Sequence, residues 1–140
     1  MKLELITLGG PKVNGDVYEV HIPTPDGEIA VFPGHERIVT LAIAGPISVR
    51  HKKTDPTEAV EHFATYGGIV EISPDKLRIL VDEADTADEI IAEESEKALV
   101  RAQEMKAHAK DSVELEKAQA LIDRHAVRLH VANLKRRHHR

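Results

Sequence analysis

Every glycine and every proline in this chain of 140 residues lies before residue 76. Gly68 and Pro74 are the last of them. The remaining stretch is long, polar-faced and free of the two residues that break helices. Threonine also stops, at Thr86, and the last aromatic residue is Tyr66. The chain is thus written in two alphabets, with a boundary near residue 86. Residues 1–86 predict one domain and residues 87–140 another.

The first part reads as short strands between turns. Leu3–Leu8 runs into Gly9-Gly10-Pro11, and Val17–Ile22 into Pro23-Thr24-Pro25-Asp26-Gly27. Glu28–Phe32 stops at Pro33-Gly34, and Arg37–Ala44 at Gly45-Pro46. Ile47–Arg50, Glu61–Tyr66, Ile69–Ile72 and Lys76–Glu83 complete the set. About eight short strands at this spacing predict a β-sandwich or flattened barrel. Tyr18, Val20 and Ile22 should share one face, as should Leu77, Ile79 and Val81.

The second part reads as two helices. Thr86-Ala87-Asp88-Glu89 has the form of a capping box, and Ala87, Ile91, Ala98, Ala102 and Met105 form one stripe. Lys106–Lys110 is the connector, and Asp111 or Ser112 can cap the second helix. Its stripe is Leu115, Ala118, Ile122, Leu129 and Ala132. A short connector and facing stripes predict an antiparallel two-helix hairpin. The fold class is therefore α+β, mainly β. Alanine-rich stripes bury little area, so this hairpin should dock weakly and leave its partner surface at modest cost.

Charge and composition exclude several functions. The net charge of -5 gives no general nucleic-acid surface. Acids dominate up to residue 86, whereas from Arg124 onward there are six lysines and arginines and no acid. There is no cysteine, hence no disulfide framework or thiolate chemistry. The start, Met1-Lys2-Leu3-Glu4, lacks the pattern of a secretory leader. No stretch approaches the roughly 20 apolar residues that span a bilayer. A protein that is soluble, or peripheral through a protein partner, is expected. The nine histidines show no strong zinc spacing, and Asp82, Glu83 and Asp85 read as capping and solvated acids. No catalytic residue and no metal site are predicted.

Three ordered segments carry a resemblance. They are Gly27-Glu28-Ile29-Ala30-Val31-Phe32-Pro33-Gly34-His35, Gly67-Gly68-Ile69-Val70-Glu71-Ile72-Ser73-Pro74 and Leu77-Arg78-Ile79-Leu80-Val81-Asp82. An alanine-rich helix pair ending in Arg128-Leu129-His130-Val131-Ala132 comes after them. In this order they resemble the epsilon subunit family of bacterial F-type ATP synthases, over nearly the whole chain. The resemblance implies a non-catalytic central-stalk subunit that couples rotation to ATP synthesis. Its expected partners are the gamma subunit, the c-ring and the alpha/beta catalytic head. It also implies a peripheral place on the cytoplasmic face of the bacterial plasma membrane, and helices that inhibit ATP hydrolysis.

On the same ground, Glu28, Pro33, Gly34 and His35 are the expected rotor contact, with Pro33 and Gly34 fixing a turn that presents Glu28 and His35 at one rim. Glu36-Arg37 departs from the small uncharged pair that often succeeds the histidine. Arg124, Arg128 and Lys135, at helical spacing on the acid-free end, are the expected contacts with the catalytic head. Some members bind ATP in the folded hairpin through Ile or Leu-Asp-x-x-Arg-Ala. Here Ile90 matches, as do the outlying Arg101, Arg124 and Arg128, but Ile91, Glu94 and Ser95 replace the Asp, Arg and Ala. Glu94 sets an anion where phosphates need a cation, which argues against tight ATP binding. Without the resemblance, a β-sandwich adaptor with a partner-binding hairpin fits the same pattern. A small hydrolase or isomerase using Asp82 or Asp85 would instead lose activity when either is changed.

Overall fold

A computed structural model describes residues 1–138, with side chains through Arg137. Two long strands organise the first part. β5 (Ile38–Arg50) and β6 (Glu61–Ile72) pair antiparallel along most of their lengths. The second half of β6 pairs with β7 (Lys76–Val81), which lies parallel to β1 (Lys2–Thr7). β1 in turn pairs with β2 (Gly10–Asp16). The last residues of β5 pair with β3 (Glu19–Thr24), and β3 pairs with β4 (Gly27–Val31). β8 (Ala84–Thr86) pairs with the start of β6. One continuous eight-stranded sheet thus folds over itself into a sandwich, with β5 and β6 passing through both layers.

The core arises from alternation. Leu3 and Leu5, Val20 and Ile22, Ile47 and Val49, and Leu77, Ile79 and Val81 all point inward. Phe63 is the largest fully buried side chain. Each such apolar side chain stabilises the fold by roughly 1.5–3 kcal/mol. All sixteen buried residues of this cluster lie at or before Ala84.

Gly45-Pro46 and Gly67-Gly68 do not end strands, contrary to expectation; each lies inside a long one. Gly67 takes φ 106° opposite Ile43, where the ladder skips a pair. Gly68 lies against β7, where a side chain would strike the Leu80 carbonyl. Gly45 receives a hydrogen bond on its carbonyl from the buried Thr65 hydroxyl, 3.0 Å away. These glycines permit close approach and bending, which are the other uses of glycine in a strand. β2 lies where the sequence predicts only a turn at Gly9-Gly10-Pro11; an edge strand tolerates its glycines and proline.

Two helices complete the chain, α1 (Ala92–Ala107) and α2 (Ser112–His138). The Thr86–Glu89 box forms, but it closes a single 3-10 turn over Ala87–Glu89, and α1 starts only at Ala92. The expected stripes hold in part, at Ala102 and Ala118. Ile91, Met105 and Leu115 are exposed, while Ser95, Ala102 and Ala118 are buried. Asp111 caps α2 by accepting from Glu114 N–H at 2.8 Å, and Glu114 accepts from Lys110 N–H at 2.8 Å. α1 packs on α2, and α2 lies along β5 and β6. The helices join the first part through a separate small cluster in which only Ala64, Ile90 and Val131 are buried, edged by Tyr66, Ala87, Val127 and Ala132. No described helix is long and apolar enough to cross a membrane.

Candidate functional site

β4 separates the residues expected at one rim. Glu28 stands at its start and Pro33-Gly34-His35 beyond its end, a span of about 16 Å at strand rise. Pro33 and Gly34 therefore present His35 and not Glu28. Gly34 takes φ 88°, a conformation glycine adopts without strain. Its N–H donates to the Pro74 carbonyl at 2.7 Å, tying the loop to the β6–β7 turn. Behind the loop, Phe32 meets Tyr18 edge to face with ring centroids 5.6 Å apart. His35 is half-buried, its Nδ1 2.8 Å from the Glu36 carbonyl oxygen.

Glu28 is exposed and belongs to a charged row on the outer face. His21 lies between Glu28, at 2.9 Å, and Glu19, at 2.5 Å, and Arg50 donates to Glu19 at 3.2 Å. Burial works against a charge on His21. The hydrogen bonds and charges of Glu19 and Glu28 outweigh it, and the imidazole pKa is raised. The hydrogen bond from His21 holds the Glu19 carboxyl below the usual range.

The basic face of α2 does not stand free. Arg128 donates to Asp85 at 2.5 Å and to the Tyr66 hydroxyl at 3.2 Å. Tyr66 in turn donates to Asp85 at 3.2 Å. Arg124 reaches Glu83 at 2.7 Å, and its guanidinium lies 4.6 Å from the centre of the Tyr66 ring. Lys135 pairs with Asp88. Burial disfavours the charge on Arg128, but Tyr66 and Asp85 more than compensate and raise its pKa. Burial also raises the Tyr66 pKa, so its hydroxyl stays protonated. Two of the three acids read from sequence as capping and solvated, Glu83 and Asp85, are thus ion-pair partners. Tyr66 gave no signal of its own; the match of an acid-rich linker to an acid-free helix end could have indicated the pairing.

A groove of about 460 Å3 opens between α1 and α2, lined by Arg101, Arg124, Arg128, Lys97, Glu94 and Ser95 among others. Three of the four residues matched to the family's nucleotide motif meet here. Ile90 does not, because it is buried under α2 against Ala64 and Val131; Ile91 takes its place on the groove wall. His125 lies on the same wall, and its buried Nδ1 has no hydrogen-bond partner among the described residues. Burial, then Arg124, Arg128 and Arg101, push its pKa down. The described residues hold no cluster of three or more metal-ligating side chains. Arg140 and the terminal His138-His139 pair lie outside the described side chains.

Residues 1–87 match the family model of the ATP synthase delta/epsilon chain β-sandwich domain. The ATP synthase epsilon chain of Bacillus licheniformis is 35% identical over 132 residues, covering 94% of this chain and 97% of that one. The chain belongs to the ATP synthase epsilon chain family. The epsilon chain of Staphylococcus aureus is 32% identical over 136 residues, covering 96% and 98% of the two chains. Among solved structures, a chain of the Euglena gracilis mitochondrial ATP synthase OSCP/F1/c-ring assembly superposes with a TM-score of 0.81 at 22% identity. It spans 95% of this chain and 81% of its own. That likeness confirms the β-sandwich with two helices after it. As a family member, the chain is a non-catalytic subunit of the F1 part of a membrane-associated ATP synthase.

Proposed function

We propose that this chain forms the foot of the central stalk in a proton-translocating F-type ATP synthase and acts as a brake on ATP hydrolysis. Residues 1–86 rest on the gamma subunit and the c-ring and carry rotation between them. Residues 87–140 form a regulatory hairpin that leaves its dock and extends toward the alpha/beta head. The complex sits peripherally on the cytoplasmic face of the bacterial plasma membrane. Glu28, Pro33, Gly34 and His35 remain the proposed rotor contacts, now as two patches at the ends of β4.

The observation that carries this reading is the separation of the two apolar clusters. The sandwich core is complete without the helices, and the hairpin dock rests on a cluster with only three buried residues. Such a hairpin can leave without opening the core, so its docked and released states can differ by only a few kcal/mol, as a switch requires. A second feature supports the rotor contact. Val39, Leu41, Ile43, Ile69 and Leu80 are all exposed, and the pairings Leu41–Ile69 and Ile69–Leu80 make one apolar row. A contiguous apolar face on a sheet marks a protein interface, and the gamma subunit is the partner assigned to it.

The test is deletion of residues 87–140 in the assembled synthase. ATP hydrolysis should rise while the complex with gamma persists. Unchanged hydrolysis would remove the brake role. Failure of the intact chain to co-purify with gamma would favour an adaptor for another partner.

A further inference from the structure

We propose that a basin formed by Arg37, Lys76 and Arg78, at the end of the β5–β6–β7 face nearest the β6–β7 turn, receives an acidic side chain of the gamma subunit. This rests on the placement of gamma on the exposed apolar row and adds the chemistry of the contact. The occupant is an aspartate or glutamate carboxylate.

The residues of this face fall in cross-strand rows. Leu41, Ile69, Leu80 and Ile6 make the first row, which is apolar. Val39, Glu71, Arg78 and Glu4 make the second. Beyond it, Lys76 pairs with Lys2 across β7 and β1, and Arg37 leads into β5. Each step between rows is two residues along a strand, about 6.6 Å. The face thus grades from apolar to cationic within about 13 Å. A partner seated on the first row reaches the basin in the same footprint.

The cations of the basin are short of counter-charge. Its volume is about 390 Å3, and Glu71 is the one acid among the described residues that line it. Arg78 lies 3.9 Å from Glu71 and donates to Glu4 at 3.0 Å. Lys76 reaches the same Glu4 at 3.2 Å, and Lys2 lies 3.8 Å from it. One carboxylate thus serves three cations. Arg37 is exposed and makes no ion pair among the described residues. Asp16 stands across from Lys2, and Glu36 and Asp75 lie on the flanking loops, but none of the three lines the basin. The walls are fixed in advance. The Gly34 N–H ties the loop before Arg37 to the Pro74 carbonyl, and the Ser73 hydroxyl donates to the Lys76 carbonyl at 2.9 Å. A site formed beforehand costs little ordering on binding. Gamma on the apolar row would strip water from these cations, and a buried cation without a partner opposes association. A carboxylate of gamma removes that penalty through charge-assisted hydrogen bonds.

The experiment uses the full chain with gamma, and then the assembled synthase. In calorimetric titration, Arg37→Gln/Lys76→Gln should weaken binding to gamma about tenfold at low salt, the size of a lost charge-assisted contact. The difference should shrink at high salt, where exposed charges are screened. Arg78 and Lys2 still hold Glu4 in this variant. Arg37→Gln alone, on an exposed loop whose change cannot unfold the sandwich, should act the same way by less. In the assembled synthase, Arg37→Lys keeps the charge and supplies an amine. A zero-length carbodiimide should then join that amine to an aspartate or glutamate of gamma. Two results overturn the acidic contact while Leu41→Lys still weakens gamma binding. One is unchanged affinity at both salts in both glutamine variants. The other is a cross-link to the c-ring, or none, in place of the product with gamma. If Leu41→Lys also binds gamma undiminished, the placement of gamma has failed and the basin falls with it.

Discussion

Gly68 and Leu80 approach so closely across β6 and β7 that a methyl group on Gly68 would collide with the Leu80 carbonyl oxygen. The obstacle is backbone, and the same methyl group would stand 2.7 Å from Val81 Cγ1, so neither neighbour yields cheaply. Gly68→Ala should lower the stability of the chain by about 2–4 kcal/mol, the range of overpacked cores and strained backbone. Gly15→Ala is the control, since nothing lies within 4 Å of an added Cβ there. Urea unfolding compares the two. Equal midpoints would mean that the β6–β7 approach is looser than described.

That pair also shows why part of the fold could not be read in advance. Alternation at Leu77, Ile79 and Val81 announces its buried face directly, because a strand's period is two. Gly67-Gly68 and Gly45-Pro46 carry the composition of turns, and only the partner strand reveals that they serve close packing. The hairpin was legible as a hairpin, since Ala102 and Ala118 keep helical period. Val131 was not, because α2 has a second face toward β6 that a single stripe does not describe. The dock was least legible. Arg128 and Asp85 are 43 residues apart, and nothing local to either joins them.

The His21 cluster gives the sandwich a pH dependence of defined sign. The folded-state pKa of His21 is raised above 6.5, so its contribution is complete below that value and is lost as pH rises through the raised pKa. Glu19, lowered below 4.5, contributes above that value and loses its share only as pH falls through its lowered pKa. His21→Asn should therefore cost most near pH 6 and least near pH 8, about the range in which histidine titrates. Thermal unfolding of both proteins across that range checks it. A difference independent of pH would show that His21 acts by packing alone.

The exposed row on β5, β6 and β7 predicts a separation of binding from folding. Leu41 is 58% exposed and pairs with Ile69. Leu41→Lys should change stability by no more than about 0.5 kcal/mol, as at other open surface positions. Against the gamma subunit it should weaken the complex by about 30-fold or more, the effect expected at a buried anchor. Calorimetric titration with gamma measures this. Undiminished affinity would place the gamma interface elsewhere.

His125 predicts that the packing of α1 on α2 weakens in acid. Arg101 faces it from α1, and Arg124 and Arg128 from α2. Glu94 and Lys97 line the same groove, while Glu83 and Asp85 partly offset the two α2 arginines from the β domain. Its lowered pKa in the packed hairpin means that well above pH 6.5 the group is neutral either way. Below 6.5 a hairpin whose helices have separated takes up a proton that the packed one resists, so the packing of α1 on α2 loses stability as pH falls. The chain has no cysteine. Cysteines introduced at the exposed Asp26 and Glu104 would carry a dye pair that reports release by energy transfer. Acid should lower the transfer, and His125→Gln should flatten the response. A response equal in both proteins would assign the effect to another group.

The groove between the helices poses a question of charge balance for nucleotides. Arg101, Arg124 and Arg128 supply cations, but Arg124 and Arg128 are already paired with Glu83 and Asp85. Glu94 adds an anion on the groove wall, so triphosphate entry must overcome a like charge without a free pair of arginines to offset it. ATP at about ten times a micromolar-range Kd would raise stability by about 1.4 kcal/mol if such a site existed. The parent chain should show no such shift in thermal unfolding. Glu94→Arg converts the wall to the cation that phosphates need and should create an ATP-dependent rise of several degrees, the shift expected from about 1 kcal/mol in a small domain. The result against this reading is stabilisation of the parent by ATP. That would mean that phosphate contacts draw Arg124 and Arg128 away from the linker acids, and that Glu94 does not decide the site.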